Sequence, residues 1–478
     1  SFDLGQDVLM RLAVLQAGDG EYEFVWSHHH ILMDGWCTGI LIRELFELYH
    51  SLLNRRPAGL APAISFSTYI KWLEKKDKDE SKRFWEDYLD RYEQLAEVPG
   101  KNTLPPQEHG EGETTYRNQV LSFRLTGEKT AGLNDLAGRN NVTLNTTIQA
   151  LWGILLAKYN GLNDVVFGTV VSGRPAEIQG VESMIGLFIN TIPVRVRFEE
   201  DTAFTGLIRR VQSSAVDSET YHYFPLAEIQ SAHRLKQNLL DHILIFENYP
   251  IGEQIEGAVA KSGAGEQRAQ WDLLAVDRFE QSSYDFNLVI GPGEQLLVVF
   301  SYNALVYDES YLRRVFGHFK ELVSQVLEAP DQPVDTFTLL SEEEKEQVLY
   351  GFNDTRAEYP RHKTIHRLFE EQAGKTPDHI AALDGHGESR RQITYRELNE
   401  KSNRLAQRLG QESVEPGSIV GIMTKLSIEM ITAIMGILKA GAAYLPIDQG
   451  YPRERIDYML KDSGTKMVVT SAVLPGKV

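Results

Sequence analysis

The sequence predicts an α/β fold, and three observations support that prediction. Short runs with the two-residue period of β-strands alternate along the chain with longer runs whose apolar residues recur at helical spacing. Apolar and charged residues make up 42% and 24% of the chain, as in globular proteins. At 478 residues the chain has room for about three folding units with buried cores. We therefore expect compact domains rather than a disordered chain.

The first β-type pattern covers residues 21–31, where aromatic residues and histidines occupy alternate positions. This period predicts a strand with one buried face, on which His30 follows Trp26. Apolar residues then recur at helical spacing over residues 36–53, so a helix should follow. Asp34 and Gly35 would occupy the turn between the strand and the helix.

The rest of the chain continues the alternation of helices and strands. Helical patterns cover residues 66–95, 144–159 and 311–327, and β-type runs cover residues 119–125, 164–171, 187–196, 242–246 and 296–302. From residue 331 the chain becomes acidic and rich in turns, and Ser341 followed by three glutamates resembles a helix start.

These patterns predict two lobes and a further domain joined by linkers. A segment with two prolines and two glycines separates the lobes, and the acidic segment separates the second lobe from the further domain. The predicted boundaries are residues 1–101 for the first lobe, 102–113 for the linker, 114–335 for the second lobe, 336–364 for the interdomain linker and 365–478 for the further domain.

Composition argues against several partners and compartments. Lys and Arg number 49 against 67 Asp and Glu, and the resulting charge of -18 disfavours nucleic acid and anionic membrane surfaces. A lone cysteine, Cys37, excludes an internal disulfide and favours a reducing compartment, so we expect a cytoplasmic protein. No apolar run reaches the roughly 18 residues of a membrane span. The start at Ser1 shows no signal peptide, and the chain looks cut from a longer one.

Residues 29–35, HHILMDG, form the most informative motif, and three interpretations of it stay open. The histidines are polar residues at a strand end, or they bind a metal with Asp34, or one imidazole faces a cavity. Metal is the weakest of the three, because no further cysteines or HExxH-type helix supply ligands. In the third interpretation His30 does the chemistry, Asp34 forms an ion pair or caps the following helix, and Gly35 permits a close approach to the backbone.

The motif resembles the HHxxxDG signature of condensation domains, which are related to chloramphenicol acetyltransferase. Other segments resemble family elements in the expected order over about residues 1–335. They are the aromatic segment 66–72, SGRP at 172–175, IGLFINT at 185–191, YFPL at 223–226 and the segment 241–250.

Two later segments, residues 393–398 and 438–448, resemble the first core motifs of adenylation domains. Condensation followed by adenylation is the module order of nonribosomal peptide synthetases. The resemblance thus implies a two-lobed, chloramphenicol acetyltransferase-like α/β domain with an incomplete N-terminal lobe, then the N-terminal part of an α/β adenylation domain. Any charged partner that the family places in the earlier part of the lobe for Asp34 would lie outside this chain. The adenylation part should not bind ATP productively, since it ends before the family's Ser/Thr/Gly-rich loop.

The resemblance also implies a function. Upstream donor and downstream acceptor peptidyl carrier proteins would deliver phosphopantetheine thioesters into a tunnel, where the acceptor amine attacks the donor thioester. The condensation domain would bind no cofactor or metal, and ATP and Mg²⁺ would serve only a complete adenylation domain. The implied site residues are His30, His29, Asp34 and Gly35 as the catalytic group, and Trp36, Ser172 and Asn190 as tunnel candidates. A core contact for Trp36 and structural turns for Ser172 and Asn190 remain equally open.

Three other functions are compatible with the motif. An epimerisation domain shares the histidines, although the family would then place another condensation domain downstream. A free-standing coenzyme A-dependent acyltransferase is disfavoured by the adenylation-like segment. In the third alternative the motif serves only the fold of a noncatalytic docking platform.

Overall fold

The computed structural model describes residues 2–101, 116–247, 283–385 and 391–470. The α/β fold class is confirmed. The chain divides into two compact units, Ser1–Asn353 and Asp354–Val478. This division falls within the segment 336–364 predicted as the interdomain linker, and both predicted lobes lie in the first unit. The predicted linker 102–113 lies outside the described residues.

The first unit begins with an antiparallel hairpin of β1 (Met10–Gly18) and β2 (Glu21–His28), which pairs Met10 with His28. The prediction of a buried face on β2 is wrong, because Tyr22 and Phe24 are 65% and 51% exposed. Among the described residues, β2 pairs only with β1. The predicted strand also ends earlier, and a 3-10 turn at His30–Leu32 carries the histidine into α1 (Gly35–Leu53).

The helical region predicted over residues 66–95 forms two helices, α2 (Ser67–Leu73) and α3 (Lys78–Tyr88). The break falls at Asp77, whose side chain accepts hydrogen bonds from the N–H groups of Asp79 and Glu80. Because Asp is a favoured N-cap residue, it begins a new helix where the apolar pattern alone indicated continuity.

A mixed six-stranded sheet is the centre of the first unit, with strand order β3-β8-β7-β6-β4-β5. The β4–β6 and β6–β7 pairs are parallel and the other pairs are antiparallel. The strands are β3 (Asn118–Arg124), β4 (Asp164–Val171), β5 (Asn190–Arg197), β6 (Ile243–Phe246), β7 (Phe286–Gly291) and β8 (Leu297–Asn303).

Helices cover this sheet. The central one, α5, is buried from Thr146 to Ala157 and packs against β4, β5, α6 and α8. Inside the core, the rings of Trp152 and Phe286 stack at 6.0 Å between centroids. The helices are α4 (Gly127–Arg139), α5 (Leu144–Asn160), α6 (Phe204–Glu219), α7 (Leu226–Ala232), α8 (Glu309–Glu328) and α9 (Glu342–Glu346). As predicted, Ser341 begins α9, and its side chain and that of Glu344 form a capping box.

The second unit has its own core around a parallel sheet of order β12-β11-β13. Val420, Ile422 and Ile437 are buried in this core. A separate antiparallel pair joins β9 and β10. The elements are α10 (Ile365–Lys375), β9 (Ile380–Asp384), β10 (Arg391–Thr394), α11 (Tyr395–Gln411), β11 (Ile419–Met423), α12 (Ile428–Lys439), β12 (Ala443–Pro446), α13 (Arg453–Asp462) and β13 (Met467–Thr470). Within the described residues, no helix combines the length and apolarity needed to cross a membrane.

Candidate functional site

A cavity of about 910 Å³ in the first unit brings together several of the residues singled out in the sequence. His30, Gly35, Trp36 and Ser172 line it. His30 is exposed and is the first residue of the 3-10 turn, so its ring does not lie in a sealed apolar interior. Gly35 is the first residue of α1, next to the capping Asp34.

Asp34 is almost completely buried, and its carboxylate is held by protein groups. It accepts the N–H of Cys37 at 3.2 Å, which caps α1, and the N–H of Phe188 at 3.2 Å. Its Oδ1 lies 3.1 Å from Nη2 of Arg174, and the two side chains are 1% and 5% exposed. The charged partner of Asp34 therefore comes from the SGRP segment within this chain. This geometry agrees with both structural roles, cap and ion pair, that the sequence suggested.

Two glycines allow the motif segments to approach one another closely. A Cβ atom on Gly186 would lie 2.1 Å from the ring of Phe66, and one on Gly173 would lie 1.9 Å from the carbonyl oxygen of Phe188. Gly173 also has a φ of 58°, in the left-handed region that favours glycine. The SGRP and IGLFINT segments therefore pack directly against each other and against Phe66 of the aromatic segment 66–72.

Cys37 belongs to this packed region rather than to the cavity. Its thiol is fully buried and contacts the carbonyl oxygen of Gly186 and the carboxylate of Asp34, each at 3.2 Å. Burial, followed by the negative charge of Asp34, raises the pKa of the thiol. A protonated, inaccessible thiol is not a nucleophile, so Cys37 contributes to packing.

The three tunnel candidates differ in position. Trp36 lines the cavity while its indole N–H donates to the carbonyl of Glu182 at 2.8 Å, and Ser172 also lines it. Asn190 is not among the residues that line this cavity. Its side-chain amide is occupied, since Nδ2 donates to the carbonyls of His222 and Phe224 at 2.9 and 2.7 Å.

His29 also lies outside the cavity lining. Its Nδ1 accepts the backbone N–H of Ile31 at 3.1 Å, which caps the turn that carries His30. The two adjacent histidines therefore have different surroundings, a distinction that the sequence pattern did not make.

Sequence reasoning missed a second histidine in the cavity lining, His222. It follows α6, and its Nε2 lies 3.2 Å from the hydroxyl of Ser218. Burial lowers the pKa of His222 to about 4. The available signal was its position directly before the YFPL segment at 223–226.

The remaining lining is largely uncharged. α5 contributes amide side chains from Asn145 and Gln149, and the strands contribute Thr169, Ile243 and Val289. Such a mixture of apolar surface and neutral hydrogen-bonding groups suits an organic substrate with amide or ester groups. Throughout the described part of the chain, no three His, Cys, Asp or Glu side chains converge as metal ligands.

The mixed sheet with its helices, and the histidine turn at an open cavity, define a mixed α/β domain with a candidate site beside the histidine motif. Residues 1–349 match the condensation domain family, and residues 369–477 match the AMP-binding enzyme family. The chain therefore belongs to the condensation domain family and continues into an AMP-binding segment, as the sequence motifs predicted.

Relatives of this chain are nonribosomal peptide synthetases. It is 43% identical over 472 residues to bacitracin synthase 3 of Bacillus licheniformis, covering 98% of this chain and 7% of the relative. Over 476 residues it is 43% identical to gramicidin S synthase 2 of Brevibacillus brevis, covering 100% and 10%. The chain thus spans a tenth or less of these relatives' length. A solved four-domain nonribosomal peptide synthetase bound to AMP and glycine shares the fold, with a TM-score of 0.73 at 22% identity, covering 98% of this chain and 36% of that one.

Proposed function

We propose that the first unit forms peptide bonds between aminoacyl or peptidyl groups carried as thioesters on carrier proteins, in nonribosomal peptide biosynthesis. The observation that supports this most is the position of His30 on a cavity of about 910 Å³, next to a turn locked by the Asp34–Arg174 ion pair. An exposed imidazole on a rigid turn, in a cavity of this size, suits two substrates that must meet in a fixed orientation.

In the proposed reaction, the α-amine of the acceptor attacks the thioester carbonyl of the donor. A C–N bond forms, the C–S bond breaks, the nitrogen loses a proton and the departing thiolate gains one. An α-amine has a pKa near roughly 8, so part of it is already neutral at pH 7. His30 needs only to accept a proton from the intermediate or to orient the amine, and both roles fit its position.

The other residues of the motif support this step. Gly35 lines the cavity in the first turn of α1, where helix N–H groups have no partner within the helix, and its N–H would stabilise the oxyanion of the intermediate. Asp34 positions Gly35 by capping the helix. His29 positions His30 by capping the 3-10 turn.

Two carrier proteins are the proposed partners of the first unit. The donor arrives on an upstream carrier protein and the acceptor on a downstream one, each on a phosphopantetheine arm, and the product stays on the downstream arm. The condensation unit would need no cofactor, whereas ATP and Mg²⁺ would serve a complete adenylation domain. We place the reaction in the cytoplasm, because one cysteine in 478 residues is typical of reducing compartments.

The test replaces each of the two adjacent histidines in the full-length protein and measures dipeptide formation from loaded carriers. His30→Ala should lower the rate about 100-fold or more, because positioned general acid–base groups contribute about 10²–10⁴. His29→Ala is the neighbouring comparison and should lower the rate less than His30→Ala, because His29 does not line the cavity and acts only through the turn that carries His30. Undiminished product from His30→Ala, with His29→Ala equally active, refutes the proposal.

The same assay separates the alternative functions. Racemisation of a tethered aminoacyl group without dipeptide would identify an epimerisation domain. Acyl transfer from free coenzyme A would identify a free-standing acyltransferase. Carrier binding without turnover by the full-length protein would identify a docking platform.

A further inference from the structure

We propose that His222 contacts substrate in the same cavity, and that its Nδ1 accepts a hydrogen bond from an N–H group of a tethered substrate. The inference rests on the proposed function and adds a recognition residue to it. His222 lines the cavity and lies on the segment between α6 and α7.

The hydrogen bonds around His222 define which ring nitrogen carries the proton. The hydroxyl of Ser218 donates its one hydrogen to the carbonyl of Ala215 at 3.0 Å. We assign the tautomer with a hydrogen on Nε2, because it makes the 3.2 Å contact between Nε2 of His222 and that hydroxyl a second hydrogen bond and leaves the bond to Ala215 intact. Nδ1 is left with its lone pair, and it is an acceptor.

The cavity keeps this ring neutral. Burial lowers the pKa of His222 to about 4, so near pH 7 the ring carries no charge and Nδ1 retains its lone pair. A neutral acceptor recognises an N–H donor without the charge repulsion that an imidazolium would exert on an ammonium group.

The segment that carries His222 is fixed in place. Nδ2 of Asn190 donates to the carbonyls of His222 and Phe224, while Oδ1 of Asn190 accepts the N–H of Thr191 at 2.9 Å. With its ring held by Ser218 and its backbone by Asn190, His222 presents Nδ1 in a preorganised position. Asn190 thus acts on the cavity indirectly, as a positioning residue.

A tethered substrate can supply the donor that Nδ1 accepts. Among the described residues, the hydrogen bonds of His222 involve Nε2 and the backbone, and no donor to Nδ1 is found. A substrate N–H would satisfy this acceptor on binding. The amides of a phosphopantetheine arm and the amine of the acceptor are two sources of the same N–H chemistry.

Two amide substitutions of His222 separate a hydrogen-bonding role from a structural one. In His222→Asn the side-chain oxygen occupies the place of Nδ1 and keeps the acceptor, whereas in His222→Gln an NH₂ group takes the place of Nε2 and keeps only the contact with Ser218. In the full-length protein, His222→Asn should retain kcat/KM for dipeptide formation within about threefold. His222→Gln and His222→Ala should lose about tenfold, as expected for one hydrogen bond.

Acceptor thioesters of different arms distinguish the two N–H sources. An aminoacyl thioester of N-acetylcysteamine keeps one arm amide, and the thioester of a simple alkyl thiol keeps none. If the arm amide binds Nδ1, the difference in kcat/KM between His222→Gln and His222→Asn disappears with the alkyl thioester. If the amine binds, the difference persists. Either result supports the inference.

A binding measurement keeps the inference testable if the proposed function fails. Calorimetric titration of wild type, His222→Asn and His222→Gln with a non-reactive aminoacyl-pantetheine amide requires no turnover. Weaker binding by His222→Gln than by His222→Asn supports the inference even if wild type forms no dipeptide. Equal kcat/KM and equal Kd for the Asn and Gln variants, at any level, overturn it. Thermal unfolding of each variant identifies a loss that comes from misfolding.

Discussion

Arg174, in the SGRP segment, holds Asp34 in place, and Asp34 caps the helix that follows the histidine turn. Arg174 donates to the carboxylate of Asp34 and, through Nη1, to the carbonyls of Val181 and Met184 at 2.6 and 3.1 Å. Its guanidinium also lies 4.0 Å from the ring centroid of Phe188. Because every one of these partners is nearly buried, the position of Asp34 and hence of α1 depends on Arg174.

Removing one charge of this pair should destabilise the protein strongly. Arg174→Met leaves the buried carboxylate of Asp34 uncompensated, and we expect a loss of about 3–5 kcal/mol in the free energy of unfolding. Urea denaturation of the chain, followed by tryptophan fluorescence, measures it. The double variant Asp34→Asn/Arg174→Met should recover part of the loss, since no unpaired charge then remains.

Arg139→Met is the matched control for this experiment. Arg139 pairs with Asp135 at 2.7 Å, but its side chain is 76% exposed, and such surface pairs contribute about 0–1 kcal/mol. If Arg174→Met lowers the free energy of unfolding no more than Arg139→Met does, the buried pair does not hold the turn.

At the residue scale, the sequence indicated the local chemistry but not its distant partners. The cap at Asp34 could be predicted because it depends on a neighbour three positions later, Cys37. The pairing with Arg174 joins residues 140 positions apart, and the contact of Asn190 with His222 depends on a loop that the pattern of apolar residues does not describe. His222 had one local signal, its position directly before the YFPL segment, whereas its burial and its contact with Ser218 come from the folded structure.

At the element scale, strong periodic patterns were predicted well. The predicted strand at 164–171 matches β4, and the predicted helix at 144–159 differs from α5 by one residue at its end. In contrast, α4 (Gly127–Arg139) was missed. Its three glycines lower helix propensity, and burial of Leu133 and Leu136 stabilises the helix nevertheless. Tertiary packing, not local preference, forms that element.

A buried polar network joins the chain just before β6 to α5 and to the chain at residues 98–101. Asp241, just before β6, accepts the N–H of Val98 at 2.9 Å and pairs with Lys101. Its neighbour His242 is fully buried and accepts the indole N–H of Trp152, on α5, at 2.7 Å. The network thus fixes the chain before the 102–113 segment against the sheet and its central helix.

This network should make stability depend on pH in acid. Burial by itself would raise the pKa of Asp241, but His242, Lys101 and the N–H of Val98 outweigh it and lower the pKa to about 2. A carboxyl whose pKa is lower in the folded state stabilises the protein above its unfolded pKa near 3.8, and that stabilisation is lost as the pH falls to about 2. The contribution at pH 7 is about 2 kcal/mol.

In Asp241→Asn, the free energy of unfolding should depend less on pH in acid than it does in the wild type. Urea denaturation at pH 7, 4 and 2.5 should show a loss of about 2 kcal/mol at pH 7 and a flatter decline below pH 4. Asp135→Asn serves as the control, because its partly exposed ion pair contributes about 0–1 kcal/mol. A steep decline below pH 4 that is identical in wild type and Asp241→Asn would assign the acid sensitivity to other carboxylates.

On the scale of the whole molecule, the two units have separate cores, one around the six-stranded sheet and one around β11. The chain between them is exposed at every position from residue 351 to residue 365. Its large side chains are not packed, since Phe352 and Tyr359 are 67% and 66% exposed. A segment that contributes nothing to either core is the expected place for a domain boundary.

Limited proteolysis tests this boundary directly. Arg356 and Arg361 are exposed in backbone without helix or strand hydrogen bonding, so trypsin should cleave there under native conditions. Mass spectrometry should identify products with new ends after these two arginines, and Arg356→Gln/Arg361→Gln should remove those products. Because each core lies on one side of the cut, the larger product should keep the cooperative thermal unfolding of the first unit. Loss of that unfolding transition after cleavage would mean that residues beyond the boundary complete the core of the condensation unit.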